Sequence, residues 1–365
     1  MESENDPVNK GDCPMEMVAT LALNEKHTIA EDVTCQGKVI IPKNTKVTPQ
    51  IIQKLNAFGI MGVNCYEPSD FATSYYEKIS LSKDFAKWKT AYDTQLVAYK
   101  VAVDSFVYKR IPFRTVDLIA IANALVSEKM TGKQLMTYIN LMTPKEGELS
   151  YAHGLNVALI CRIFARWLNW SPENIDLLTI CGFVYDVGKN ILPQDIIWKP
   201  GKLSNMEYDL MKTHAFHAYH LLSKTSLDRH ILNAVLQHHE RCDGSGYPQG
   251  LTGPEIDDCA KLVAIVDVYE AMTAPRTYRA PMCPYKAMAI LEQDFYQKYD
   301  IKFIQTFMQH ISDELIGNMV RLNTGDVGEV IMTNRNAYSK PLLRMDGGMV
   351  LDLSKSPQFA IEEIV

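Results

Sequence analysis

Seven of the nine histidines fall between residues 153 and 239. Taking one candidate per expected helix gives His153, Asp186, His214, the pair His238 and His239, and Asp267. Successive members are 33, 28, 24 and 28 residues apart, the last interval counted from His239. Each interval fits one helix and a loop, so antiparallel neighbours bring these groups to one level of a bundle. Histidine and carboxylate without cysteine in ligand spacing form a donor set for Fe, Mn or Zn rather than for a thiolate zinc site. His153 shares a face with Val157, Ile160 and Phe164, His238 lies seven residues after Ile231, and Asp267 sits among Val263, Ala264 and Ala271. A carboxylate on such an apolar face needs a partner, because an isolated buried charge is costly. His214 and His217 share a face, and the sequence does not choose between them. His217 and His220 read as surface or packing residues.

Taken singly, these residues have plainer readings. A lone core histidine is more often hydrogen-bonded than metal-bound. His238-His239-Glu240 suits the negative end of a helix, and Asp243-Gly-Ser-Gly-Tyr-Pro248 alone is an ordinary turn. Their order and combination outweigh those readings.

The elements that must position them are mainly helical. Residues 1–68 read as a small α/β domain of unknown role. Lys38 to Asn44 is a strand into a turn, Thr48-Pro49 opens a helix that Gly59 ends, and Ile60 to Tyr66 returns as a strand. Residues 69–145 read as a helical linker with packing helices at 83–103, 115–129 and 133–142. Residues 146–316 are nearly all helix. Ser171-Pro172 opens one helix, Ser204 and Glu207 form a capping box before another, and Ser226 precedes a third. Gly182 is tolerated within its helix, and Gly188 suits a C-terminal turn. Residues 317–365 change to short β runs around Asn323-Thr-Gly-Asp326 and Asp346-Gly-Gly348. The fold class expected is mainly α, a helical bundle with a small N-terminal α/β domain and a short C-terminal β subdomain.

A length of 365 residues allows two or three domains. The net charge of -6 argues against a general polyanion surface, so no DNA or RNA polymer is expected. The acidic, polar start does not read as a secretory signal, and no run of apolar residues is long enough to span a membrane. The eight scattered cysteines, none in a CxxC pair, read as reduced thiols in a cytoplasmic protein.

The string His153, Tyr185-Asp186-Val-Gly-Lys189, His214, His238-His239-Glu240, Asp243-Gly-Ser-Gly-Tyr-Pro248, Asp267-Val-Tyr-Glu-Ala-Met-Thr273 and Arg276-Thr-Tyr-Arg279 resembles the HD-GYP family of cyclic dinucleotide phosphodiesterases over residues 146 to 300. The resemblance implies an HD-type bundle around two divalent metal ions, Fe or Mn, and hydrolysis of cyclic di-GMP to pGpG or GMP. The implied ligands are His153, Asp186, His214, His238, His239 and Asp267, with Asp186 bridging. A binuclear site can neutralise phosphate oxygens and activate water. Lys189, three residues after Asp186, reaches the same scissile phosphate. The family points Arg276 and Arg279 at phosphate and guanine, and makes Tyr247 and Pro248 a pocket wall whose loop also docks other signalling domains. A homodimer is the default oligomer.

The sequence departs from the family at Tyr185, which stands where the name-giving His would bind the first metal. Three outcomes are open: the phenolate ligates, as on ferric iron; the neutral phenol packs and the first metal binds weakly; or the domain is degenerate and binds a cyclic dinucleotide or a protein partner as an effector. A second departure is Leu149, where three-metal members carry an acidic residue; Glu148 is off by one, which favours two metals. A third is Glu270, where the family often has Asp.

Overall fold

The computed structural model describes residues 15–35, 37–66, 75–145, 147–197, 199, 201–275 and 281–365, with the main chain alone at 194, 295 and 296. The chain divides into two compact units, Met1–Ala86 and Lys87–Val365.

The first unit contains β1 (Met15–Ala19), β2 (Thr28–Ile29), β3 (Val33–Cys35), β4 (Lys38–Ile41), α1 (Pro49–Ala57), β5 (Gly62–Tyr66) and α2 (Tyr75–Ser80). Three strands pair antiparallel in the order β1-β5-β2, with Met15 opposite Tyr66 and Ala19 opposite Gly62. β3 and β4 form a separate hairpin. The Thr48 hydroxyl accepts from the Ile51 amide, and Pro49 occupies the first turn of α1 where no amide donor is required. Leu55 is the fully buried residue of that helix and joins Leu23, Ile29, Ile41, Val47, Val63 and Cys65 in the core of this unit.

The second unit is a helical bundle followed by a sheet. α3 (Lys83–Lys109) enters it at Lys87 and is followed by α4 (Thr115–Leu125), α5 (Gly132–Asn140), α6 (Leu149–Trp167) and α7 (Pro172–Val184). A short 3-10 helix, Val187–Ile191, leads to α8 (Gln194–Ile197), α9 (Asn205–Lys212), α10 (His214–Leu222) and α11 (Arg229–Gln237). α12 (Asp258–Thr273), α13 (Pro284–Lys298) and α14 (Ile301–Glu314) complete the helices. β6 (Met319–Leu322), β7 (Val327–Met332), β8 (Leu342–Met345), β9 (Val350–Asp352) and β10 (Ile361–Ile364) form an antiparallel sheet in the order β10-β6-β7-β8-β9. The architecture is thus mainly α, with a small β subdomain at each end of the sequence.

α6 is the centre of the bundle. Every residue from Tyr151 through Ala165 is buried, the signature of a helix covered on all sides. Each fully buried Leu, Ile or Val there contributes about 1.5–3 kcal/mol. Two glycines let its neighbours approach closely. A Cβ at Gly182 of α7 would lie 2.6 Å from Ala158 Cα, and one at Gly154 would lie 2.6 Å from the Tyr99 hydroxyl.

Several local expectations shift. α3 runs on to Lys109, and α4 stops at Leu125. The helix expected after Ser226 starts at Arg229, because Asp228 accepts the His230 amide at 2.7 Å and takes the capping role. Gly188 does not end a helix in a left-handed turn. It lies within the 3-10 helix, where a Cβ would meet the His214 carbonyl oxygen at 2.0 Å. The capping box of Ser204 and Glu207 is present.

Candidate metal centre

Three histidines converge from α10 and the end of α11. His214 is the first residue of α10, His238 caps the C-terminus of α11, and His239 follows it. His214 Nδ1 lies 2.7 Å from the Met211 carbonyl, and His238 Nδ1 lies 2.9 Å from that of Val235. A ring that donates Nδ1–H to a carbonyl has, when neutral, a bare Nε2 acceptor. These two acceptors face each other, Nε2 to Nε2, at 3.2 Å. One ligand atom from each of His214, His238 and His239 lies within 4.8 Å of the others. Burial pushes the pKa of His214 and of His238 down to about 3, and that of His239 well below the ordinary range. The rings therefore do not supply the missing proton. Asp186 Oδ1 stands 3.4 Å from His214 Nε2 and is buried without a hydrogen-bond partner. A buried cluster made only of acceptors is satisfied by a cation, and this donor set suits Fe, Mn or Zn. The other Asp186 oxygen binds Lys189 Nζ at 2.7 Å.

The remaining candidates form a second cluster with its own hydrogen bonds. Tyr185 caps α7 and is fully buried. Its hydroxyl donates to Asp267 Oδ1 at 2.7 Å and lies 2.7 Å from His153 Nε2. His153 Nε2 is itself 2.9 Å from Asp267 Oδ1. Behind it, His153 Nδ1 meets Glu270 Oε2 at 2.5 Å, Asn156 Nδ2 donates to Glu270 Oε1 at 2.7 Å, and the Tyr92 hydroxyl donates to Asn156 Oδ1 at 2.7 Å. Burial opposes a charged His153, but Glu270 and Asp267 prevail and raise its pKa to about 9. Burial would also raise the Asp267 carboxyl, yet the His153 hydrogen bond and charge hold it well below the usual range. Burial, reinforced by Asp267 and Asp186, keeps the Tyr185 phenol protonated.

The loop after His239 is pinned from within. Glu240 is buried and accepts the Gln249 amide at 2.7 Å and the Leu251 amide at 3.0 Å. Tyr247 stacks on His239, with ring centroids 4.6 Å apart. Gly246 is required there, since a Cβ would lie 2.4 Å from Glu240 Cα.

A protein-family model described as HD domain matches residues 123–303, the segment that carries both clusters. The chain carries an HD-superfamily domain related to the HD-GYP cyclic di-GMP phosphodiesterases. In this HD domain a Tyr185–Asp267 contact replaces a His–Asp contact. A 3'3'-cGAMP-specific phosphodiesterase of Vibrio cholerae is 32% identical over 170 residues, which cover 46% of this chain and 39% of that protein. A cyclic di-GMP phosphodiesterase of Pseudomonas aeruginosa is 28% identical over 212 residues, 58% of this chain and 50% of that protein. The chain spans half or less of the length of these two relatives. A solved structure of an HDG"Y"P protein from Bdellovibrio bacteriovorus covers 82% of this chain and 99% of its own at 18% identity, with a TM-score of 0.48.

The HD domain thus brings His214, His238, His239 and Asp186 together, and sets His153, Tyr185 and Asp267 in an adjoining group; the Tyr185 and His238 rings are 4.8 Å apart. His217 and His220 are exposed, which resolves the choice between His214 and His217. Pro248 is exposed as well. Arg276 and Arg279 lie outside the described residues. Sequence reasoning missed Asn156, Tyr92 and the bracing role of Glu240, and gave Glu270 little weight. Asn156 follows His153 by three residues and Glu270 follows Asp267 by three, the spacing that puts side chains on one helix face. Nothing local in the sequence marks Tyr92, which comes from the stretch read as a linker.

Proposed function

We propose that the HD domain hydrolyses a cyclic dinucleotide in a metal-dependent reaction, opening cyclic di-GMP to pGpG or GMP. The observation that supports this most is the acceptor-only cluster of Asp186, His214 and His238 beside the Lys189 ammonium. Asp186, His214, His238 and His239 would hold a divalent ion, with Fe or Mn the family's usual metals. When bound, it would polarise phosphoryl oxygens and lower the pKa of water. Lys189, held at 2.7 Å by Asp186, stands where its charge can meet a phosphate on that ion. Tyr247, fixed on His239, offers a wall for the sugar or base. The family resemblance asks for a further ion on His153, Asp186 and Asp267, the position beside Tyr185. Both relatives described above are named for cyclic dinucleotides, one for cyclic di-GMP and one for 3'3'-cGAMP.

Tyr185 favours a second reading, in which the domain binds such a ligand as an effector without cleaving it. Protein purified without oxygen, loaded with Fe(II) or Mn(II) and offered cyclic di-GMP and 3'3'-cGAMP separates the two. Linear product that disappears in Asp186→Ala supports hydrolysis. Tight binding without product from metal-loaded protein selects the effector.

A further inference from the structure

The resemblance asks for an ion on His153, Asp186 and Asp267, and the two clusters differ in whether they have room for one. We infer that a hydrogen-bonded triad of Tyr185, His153 and Asp267 closes that position, so that the chain binds a single divalent ion, on Asp186, His214, His238 and His239. The inference rests on the metal-dependent reading proposed above and fixes its stoichiometry.

Distances separate the clusters. Donors about 2.1 Å from one ion stand roughly 3.0 Å apart at octahedral angles and roughly 3.4 Å apart at tetrahedral ones. His214 Nε2 and His238 Nε2 are 3.2 Å apart, and Asp186 Oδ1 and His214 Nε2 are 3.4 Å apart. The triad edges are 2.7, 2.7 and 2.9 Å, shorter than that range and matched to hydrogen bonds.

Satisfaction of polar atoms separates them too. Asp186 Oδ1 is buried and without a partner, while the Tyr185 hydroxyl, both His153 nitrogens and Asp267 Oδ1 each have one. An ion entering the triad would have to break those bonds before making its own.

The frame holds the triad shut. His153 is braced through Glu270 and Asn156 to Tyr92. α6 and α7 pack backbone against backbone at Gly182 and Ala158, where a Cβ on the glycine would lie 2.6 Å from Ala158 Cα. The Tyr185 ring also fills more of the space between the helices than an imidazole would, so its hydroxyl arrives between His153 and Asp267 directly.

The test is metal stoichiometry by elemental analysis, together with the electron paramagnetic resonance of Mn(II)-loaded protein. The expected result is one ion per chain and the signal of isolated Mn(II). Tyr185→His should raise the content towards two and introduce exchange coupling between the ions. Asp267→Asn, which a binuclear site would not tolerate, should leave the content at one. Two coupled ions in the unaltered protein would overturn the inference while leaving the metal-dependent reading intact. So would loss of an ion in folded Asp267→Asn. No ion in the unaltered protein after loading would remove the parent reading and this one with it.

Discussion

His214 and His238 direct their Nε2 atoms at each other across 3.2 Å, with each Nδ1 tied to a backbone carbonyl of its own neighbourhood. Two buried acceptors in that relation are a standing cost that a cation relieves. Mn(II) at roughly a hundred times its Kd should therefore add about 2.7 kcal/mol of stability. Thermal unfolding with and without chelator measures this increment. His238→Ala should abolish it, and the variant's melting should no longer respond to metal.

Lys189 touches the Asp186 oxygen that faces away from His214. Lys189→Met should lower kcat by about a hundredfold, the scale seen when one charge-stabilising donor is removed. Metal content, measured on the same sample, should be unchanged. A loss of metal would assign the lysine to holding Asp186 rather than to the substrate.

Glu240 holds the 243–251 loop through two amides, and both of its oxygens are in use. Glu240→Gln presents an amide donor to one of those N–H groups and should cost about 1.5–3 kcal/mol in urea unfolding. Hydrogen exchange at Gln249 and Leu251 should speed up in the same variant.

A pH dependence arises far from the metal centre. Burial raises Glu314 from 4.5 to about 7, against the opposing pull of the Gly132 amide and Lys133. The folded state then holds this proton more tightly than the unfolded chain, so stability falls as pH rises from about 4.5 through about 7. Glu314→Gln should flatten that slope, leaving Tm near the parent value at about pH 4.5 and raising it at about pH 8. Each kcal/mol recovered corresponds to roughly 2–4 °C.

Much of this architecture is legible in the sequence. Helix caps at Thr48, Ser171 and Ser204 work as their residue types require, because a cap is a contact between near neighbours in sequence. The histidine spacing foretold convergence because a helix and its loop have a limited range of lengths. Asp228 displaced Ser226 as a cap because both residue types are competent and only the path of the chain decides. The long-range brace from Tyr92 to Asn156 spans 64 residues and leaves no local pattern to read. The same holds for the split into two clusters. Tyr185 was visibly anomalous, but whether its hydroxyl meets a proton acceptor or a vacant coordination position depends on α12, which is 82 residues away.

The contact between Gly188 and the His214 carbonyl ties the turn that carries Lys189 to the helix that begins with His214. Between them runs a connector of more than twenty residues, which includes α8 and α9. Because the two ends of the connector meet backbone to backbone, the spacing between the Lys189 turn and the start of α10 is set by that close approach and not by the length of chain between them.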